Sequence, residues 1–191
     1  MKKFLLALLA FGAIGTAAAQ DVDRPLMLVA VPELQGPYNH TALVVVPAGD
    51  GVHIGFILNR ATGVKMATLF PEHAPSAKVI DPVYFGGPEM VGSIFAVVRH
   101  DPGAGAHALH LFGELYVTAH ADAVDRIIET APNDARYFAG FVGWQPGELA
   151  AELEAGYWYV VEPDSALFFR HETGGLWDEL VQRVQARRKG I

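Results

Sequence analysis

Apolar residues in this chain fall into short blocks separated by Gly, Pro and charged positions. Leu26 to Val31 is an unbroken apolar run stopped by Pro32. Ala42 to Val46 is a second, β-branched run, stopped by Pro47. Short continuous apolar runs bounded by turn residues predict strands buried on both faces. Gly49-Asp50-Gly51 predicts a hairpin turn into a third strand, Ile54 to Leu58, which ends at Asn59-Arg60. Val64 to Phe70 predicts a short helix closed by Pro71. Val83 to Phe85 and Ile94 to Arg99 predict strands on either side of Gly86-Gly87-Pro88. Residues 101–108, rich in Gly, Ala and His, predict a loop. Leu115 to Thr118, Phe138 to Val142 and Tyr157 to Val161 predict further strands.

Three segments change period. Val124, Ile127 and Ile128 recur at helical spacing within Ala121 to Thr130, an amphipathic helix. Pro146 to Glu154 predicts a second, with Pro early and Gly156 just beyond, as helix ends prefer. Leu176, Leu180, Val181 and Val184 mark the last. Strands crowd the first half and helices are interspersed later, which predicts a mixed α/β or α+β domain rather than an all-β sandwich.

The first residues follow another logic. Met1-Lys2-Lys3 is basic, Phe4 to about Ala13 is apolar, and Thr16-Ala17-Ala18-Ala19-Gln20 supplies small residues at a cleavage site. That order predicts a signal peptide over residues 1–19, cut after Ala19, and a single periplasmic or secreted domain over 20–191. The apolar run is too short to span a bilayer, so no membrane span is expected after cleavage. Taking Lys2 and Lys3 from the 14 basic residues leaves 12 against 21 acidic ones, a formal charge of −9. Such a surface repels phosphate backbones, so no nucleic-acid partner is expected. The one basic cluster, Arg187-Arg188-Lys189, reads as a solvated helix end complementing the helix dipole. The absence of cysteine excludes thiol nucleophiles, thiol redox chemistry and Cys-held metal centres.

Several motifs occur in a telling order. Gly51-Val52-His53-Ile54-Gly55-Phe56-Ile57-Leu58-Asn59-Arg60 joins an apolar strand to Asn-Arg. Val83-Tyr84-Phe85-Gly86-Gly87-Pro88 runs a strand into Gly-Gly-Pro. Phe141 to Leu153 holds Gly143-Trp144, Gly147-Glu148-Leu149 and Glu152, and Trp158 follows. Upstream, Pro32-Glu33-Leu34 leads to Thr41. Together these resemble the YqgE/AlgH family over about residues 26–182, and the chain would be an exported member. Glu148 stands where that family usually has Gln, Ala150 where an acidic residue is common, and Tyr38 replaces Phe. The leader is a further departure, since typical members look cytoplasmic. The resemblance implies a mixed, bifurcated β-sheet, partly closed into a small barrel and surrounded by helices. It implies no reaction. One branch carries a transcriptional-regulator label linked to alginate production, which an exported acidic chain does not suit.

Each motif admits a structural and a functional reading. Gly86 and Gly87 either present N–H groups to an anion or form a tight turn that needs positive φ. Asn59 and Arg60 either line a cleft at a strand end, or bond the next turn's backbone and pair with a carboxylate. Glu148 and Glu152, one helical turn apart, either do acid–base or metal chemistry or form a solvated acidic face, with Leu149 and Leu153 turned to the core. Trp144 and Trp158 either stack a ligand or pack the core. His107 and His110 alternate across a strand and cannot chelate together, so neither a metal nor another cofactor is expected. Ser76, Ser93 and Ser165 sit in no nucleophile elbow, there is no P-loop, and Gly103-Ala104-Gly105 lacks the third glycine of a dinucleotide fingerprint.

The favoured expectation is a non-enzymatic binding or accessory domain of the cell envelope, recognising a protein partner or small ligand. The alternatives are an enzyme with a site near Asn59, Arg60 and Gly86–Pro88, and the regulator role. If the motifs build one site, Asn59, Arg60, Gly87 and Trp144 should converge on a single concavity.

Overall fold

A computed structural model describes residues 21–190, and the expected leader over 1–19 lies outside them. Nine strands form one sheet: β1 (Leu26–Ala30), β2 (Ala42–Gly49), β3 (Val52–Ile57), β4 (Tyr84–Phe85), β5 (Glu89–Val98), β6 (Leu109–Phe112), β7 (Leu115–Thr118), β8 (Ala135–Trp144) and β9 (Trp158–Val161). The helices are α1 (Met66–Leu69), α2 (Ala121–Thr130), α3 (Glu148–Glu154) and α4 (Leu176–Arg188), with 3-10 turns at Ala74–Lys78 and Ser165–Phe169. Spatial order is β6-β7-β5-β8-β3-β2-β1-β9, and β4 also lies against β8. The fold is mixed α+β: a curled antiparallel sheet forms a half-barrel flanked by helices.

The sheet divides at β8. Toward its start, β8 pairs antiparallel with β5 and parallel with β4. Toward its end, His53↔Trp144 to Gly55↔Val142, it pairs with β3. The chain leaving β4 is wedged into the fork between them. Gly86 N–H donates to Ala139 O (2.9 Å), and Gly86 O accepts from Ile57 N–H (3.0 Å). A Cβ on Gly86 would stand 2.2 Å from Gly140 O, and one on Gly87 2.2 Å from the Phe141 carbonyl carbon. These glycines therefore serve close backbone approach. Neither is among the positive-φ residues, which corrects the tight-turn expectation.

β1 and most of β2 are buried on both faces, as their unbroken apolar runs require. One face joins Val29, Val44, Phe56 and Phe138 inside the half-barrel, where Phe168 and α4 also pack. The other joins Leu28, Val45, Trp144, Leu149 and Trp158. A third cluster seats Val124, Ile127 and Ile128 of α2 against Tyr137 and Val83. Each such side chain contributes about 1.5–3 kcal/mol.

Boundaries differ from the sequence reading for local reasons. β2 continues through Pro47, where the register with β3 shifts and a missing N–H is tolerated. The expected helix over 64–70 shrinks to α1. α3 begins at Glu148, after Pro146 rather than at it. β5 and β8 are longer than their apolar runs because each pairs with the other. β6 was not expected; it exists through its hairpin with β7.

Candidate functional site

The first motif runs on from β3 to Asn59 and Arg60, just past its end and both half-buried. Asn59 Oδ1 accepts from Ala42 N–H (3.0 Å), and its Nδ2 donates to His40 O (2.8 Å). One side chain thus ties both ends of the turn that enters β2. Arg60 Nη2 donates to Pro37 O and to Asn39 O (3.4 Å). The carboxylate partner expected for Arg60 is replaced by backbone carbonyls of residues 37–39. Partial burial holds its guanidinium below the ordinary arginine value.

The third motif closes on itself. Glu148 Oε2 accepts from Gln145 N–H (2.8 Å) at the entrance to α3, where a carboxylate also complements the dipole. Glu152 Oε2 accepts both indole N–H groups, from Trp144 (3.0 Å) and Trp158 (2.8 Å). The solvated acidic face expected for this pair is corrected at Glu152, which satisfies two buried tryptophans. Leu149 is buried and Leu153 packs on the same cluster, as expected.

All three motifs meet. Phe85 N–H donates to Arg60 O (2.8 Å), Ile57 bonds Gly86, and Gly87 lies against Phe141 and Val142. Tyr38 packs on the cluster of Phe85, Trp144 and Trp158, edge-on to Trp158 at 6.3 Å. Its phenol is pushed up by burial first, then by the charges of Glu152 and Glu89, with Arg60 opposing. Arg60, Glu89 and Glu152 therefore share one electrostatic neighbourhood around Tyr38. The meeting is nonetheless backbone on backbone and side chain on core.

Two open clefts lie elsewhere. One, of about 430 Å³, is lined by Val98 to Pro102 with Ile127, Ala131 and Asp134. The other, of about 620 Å³, lies between Val31–Gln35, Ala155–Tyr159 and Arg188. Neither takes a lining residue from Asn59, Arg60, Gly86, Gly87, Trp144, Glu148 or Glu152.

The chain also resembles known proteins. The family model described as AlgH-like matches residues 27–189. The chain belongs to the AlgH-like family. Relatives include a UPF0301 protein of Streptomyces coelicolor, 32% identical over 163 residues (82% of this chain and 84% of that one). Another is a UPF0301 protein of Chlorobium limicola, 28% identical over 168 residues (85% and 87%). Among solved structures, the solution structure of AlgH from Pseudomonas aeruginosa matches with TM-score 0.69 at 22% identity, covering 91% of this chain and 92% of that one. A crystal structure of a Corynebacterium diphtheriae protein matches with TM-score 0.66 at 22% identity, covering 83% and 85%. At these identities the structures establish the shared fold.

Sequence reading missed two constellations of this AlgH-like chain. Arg136, on β8 inside the half-barrel, is 1% exposed, lies over the Tyr84 ring (4.3 Å) and donates to Asp81 Oδ2 (3.2 Å). Burial lowers its guanidinium from the ordinary value while Tyr84 and Asp81 oppose that. Asp81 also meets His171 Nδ1 (2.9 Å). The expected strand, Phe138 to Val142, left Arg136 outside it, with no sign of its burial. His107 lies beside His120, ring centroids 5.0 Å apart, rather than beside His110. Among the described residues no group of three or more His, Asp or Glu is placed to hold a metal, and no helix is long and apolar enough to cross a membrane.

Proposed function

We propose that the chain is a non-enzymatic binding or accessory domain of the cell envelope, exported and freed of residues 1–19, that acts by recognising a partner protein. One observation carries the non-catalytic half. The polar groups of the family motifs are engaged by the chain itself: Asn59 on a backbone N–H and a carbonyl, Arg60 on backbone carbonyls, Glu148 on a backbone N–H at the surface, Glu152 on two indoles. A catalytic acid, base or nucleophile needs a group facing substrate. The alternative of an enzyme around Asn59, Arg60 and Gly86–Pro88 must draw its chemistry from groups already holding β3, the 37–40 turn and the fork.

Recognition of a protein is favoured by exposed apolar surface. Val64, Leu69, Phe70 and Ile80 are exposed, Ile80 by 67%. The segment folds on itself: Val83 N–H bonds Val64 O, and Lys65 Nζ donates to Ile80 O (2.7 Å). Large apolar side chains gathered in one segment mark interaction surfaces.

The test places a photo-crosslinking residue at Ile80 in the source cells. A discrete adduct with one envelope protein, lost in a Phe70→Asp variant of unchanged melting temperature, is the expected result. Native mass spectrometry finding a small molecule retained on the purified chain, with no adduct, would replace the partner with a ligand. Mature protein should begin at Gln20 or within a residue or two. An intact Met1 in a cytoplasmic fraction would overturn the export reading and reopen the regulator role.

A further inference from the structure

β9 is the last strand of its sheet and bonds only to β1 among the described residues. Its register tells which main-chain groups are committed. Ala30 N–H donates to Thr41 O on the β2 side, whereas Val31 N–H donates to Tyr157 O on the β9 side. In an antiparallel ladder such groups alternate. The even-numbered residues of β1 thus bond β2, and the odd-numbered ones bond Tyr157, Tyr159 and Val161. The N–H and C=O groups of Trp158 and Val160 consequently point away from the sheet. An open strand edge is a template for another extended chain.

What borders this edge selects the chain that would pair with it. The 620 Å³ cleft lies at the start of β9, with Val31, Leu34, Tyr157 and Tyr159 giving it apolar and aromatic walls. Arg188 lines it too, its guanidinium held 4.5 Å from the Tyr159 ring centroid. Arg187 and Arg188 close the last turn of α4, with Lys189 after them. None of the three is in an ion pair among the described residues. This is the sole basic cluster of a chain whose formal charge is −7. Glu33 is the one acidic side chain in the lining.

We infer that the β9 edge and its cleft form a docking site for an extended, acidic segment of a partner protein, which adds as a strand beside Trp158–Val161. Main-chain bonds to Trp158 and Val160 supply affinity. The cationic end of α4, stacked on Tyr159, selects acidic side chains on that face, and the alternate, apolar positions fall on the opposite face beside Trp158 and Val160. Strand addition uses this division between backbone and side-chain recognition. The site lies apart from the 64–80 surface and does not depend on it.

The test titrates the full mature chain with labelled peptides of about ten residues. One alternates Glu with Val, a second replaces Glu by Lys, and a third is the Glu peptide N-methylated at alternate residues. The expected result is saturable binding of the Glu peptide, weakened by salt and at least about tenfold tighter than either of the other two. Arg188→Glu, at an exposed helix end, should lower that binding about tenfold without changing the circular dichroism spectrum. A Phe70→Asp variant should bind it normally, which separates failure of this site from failure of the 64–80 reading. Failure of the Glu peptide to bind, or equal binding of the Lys or N-methylated peptide, would overturn the inference. So would a dimer in sedimentation that Arg188→Glu dissociates, because the edge would then belong to a second copy of the chain.

Discussion

The fork at β8 and the edge at β9 are opposite solutions for exposed main-chain groups. At the fork, three backbones approach so closely that Gly86, Gly87 and Gly140 admit no side chain, each Cβ falling within 2.5 Å of a neighbouring backbone atom. At the edge, the outward groups of Trp158 and Val160 have no hydrogen-bond partner among the described residues. The family motifs cluster at the fork, and their polar atoms are engaged there. The second cleft and the cationic end of α4 lie at the start of the edge strand. The contrast teaches that here the sequence signature marks where the fold is hardest to build, whereas the surface open to a partner carries little of it.

The largest effect should come from adding one carbon to the fork. Gly87→Ala places Cβ 2.2–2.4 Å from the backbone of Phe141 and Val142, which no rotamer relieves. A loss of about 4 kcal/mol or more, or failure to fold, is expected in a denaturant titration. Gly156→Ala, just before the edge, has φ +75 and nothing within 4 Å. It should cost only about 1–2 kcal/mol, the left-handed backbone penalty. Equal losses would erase the distinction between the two regions.

Next comes the buried cation beside the fork. Asp81→Ala removes the carboxylate facing Arg136, at 3.2 Å, and leaves a 1%-exposed guanidinium with the Tyr84 ring alone. Breaking a buried pair costs about 3–5 kcal/mol, and the partial exposure of Asp81 favours the lower end. Replacing both partners, with Arg136→Met added, should recover much of that loss. A double variant no more stable than Asp81→Ala would mean that Arg136 contributes through packing and not as a charge needing an acceptor.

Smaller still is the junction of α3 with the sheet. Glu152→Ala leaves the indoles of Trp144 and Trp158 without their shared acceptor. About 1–3 kcal/mol should be lost, with a red shift in tryptophan emission as water reaches the rings. Unchanged emission would show that the indoles find other partners.

Much of the fold was legible because its information is local. The unbroken runs at Leu26–Ala30 and Ala42–Val46, and the spacing of Val124, Ile127 and Ile128, report burial directly. β6 was not, because Leu109–Phe112 is short and becomes a strand only through β7. The tight-turn reason given for Gly86 and Gly87 was wrong. A glycine needed for positive φ and one needed for close approach look alike in sequence, and only Gly140 and Phe141 of β8 distinguish them. The sequence predicts that Asn59, Arg60, Gly87 and Trp144 converge on a single concavity; the motifs instead touch through backbone and core, and none of the four lines either cleft. The partners of Arg60 are carbonyls of residues 37 and 39, which carry no sequence signal. The basic end of α4 was visible as a helix-dipole feature. Its position beside a free strand edge depends on the order of β1 and β9, which no pattern along the chain encodes.

The smallest predicted effect concerns acid. On the edge side, Glu179 of α4 accepts from Arg170 Nη1 (2.6 Å) and Arg183 Nη2 (2.7 Å), pinning the 3-10 turn to the helix. Its carboxyl is held below 4.5, chiefly by the Arg170 hydrogen bond; burial opposes this, and the charges of Arg170 and Arg183 with the Arg183 hydrogen bond add to it. A carboxyl depressed in the folded state contributes stability above its unfolded value, and loses it as pH falls through the folded one. Glu179→Gln should therefore be less stable than the parent at neutral pH, by under about 1 kcal/mol because the pair is more than a third exposed. The gap should narrow as pH falls below 4.5 and vanish once the carboxyl is protonated in the folded state as well. High salt should narrow it at neutral pH as well. The backbone packing of Gly86, Gly87 and Gly140 has no titrating group of its own, so the penalty of Gly86→Ala should be the same at both pH values. Denaturant midpoints of the two variants and the parent, measured at neutral and acid pH, decide it: a gap for Glu179→Gln that survives at acid pH would assign Glu179 a packing role, and the edge side would lose its claim to be the acid-sensitive half.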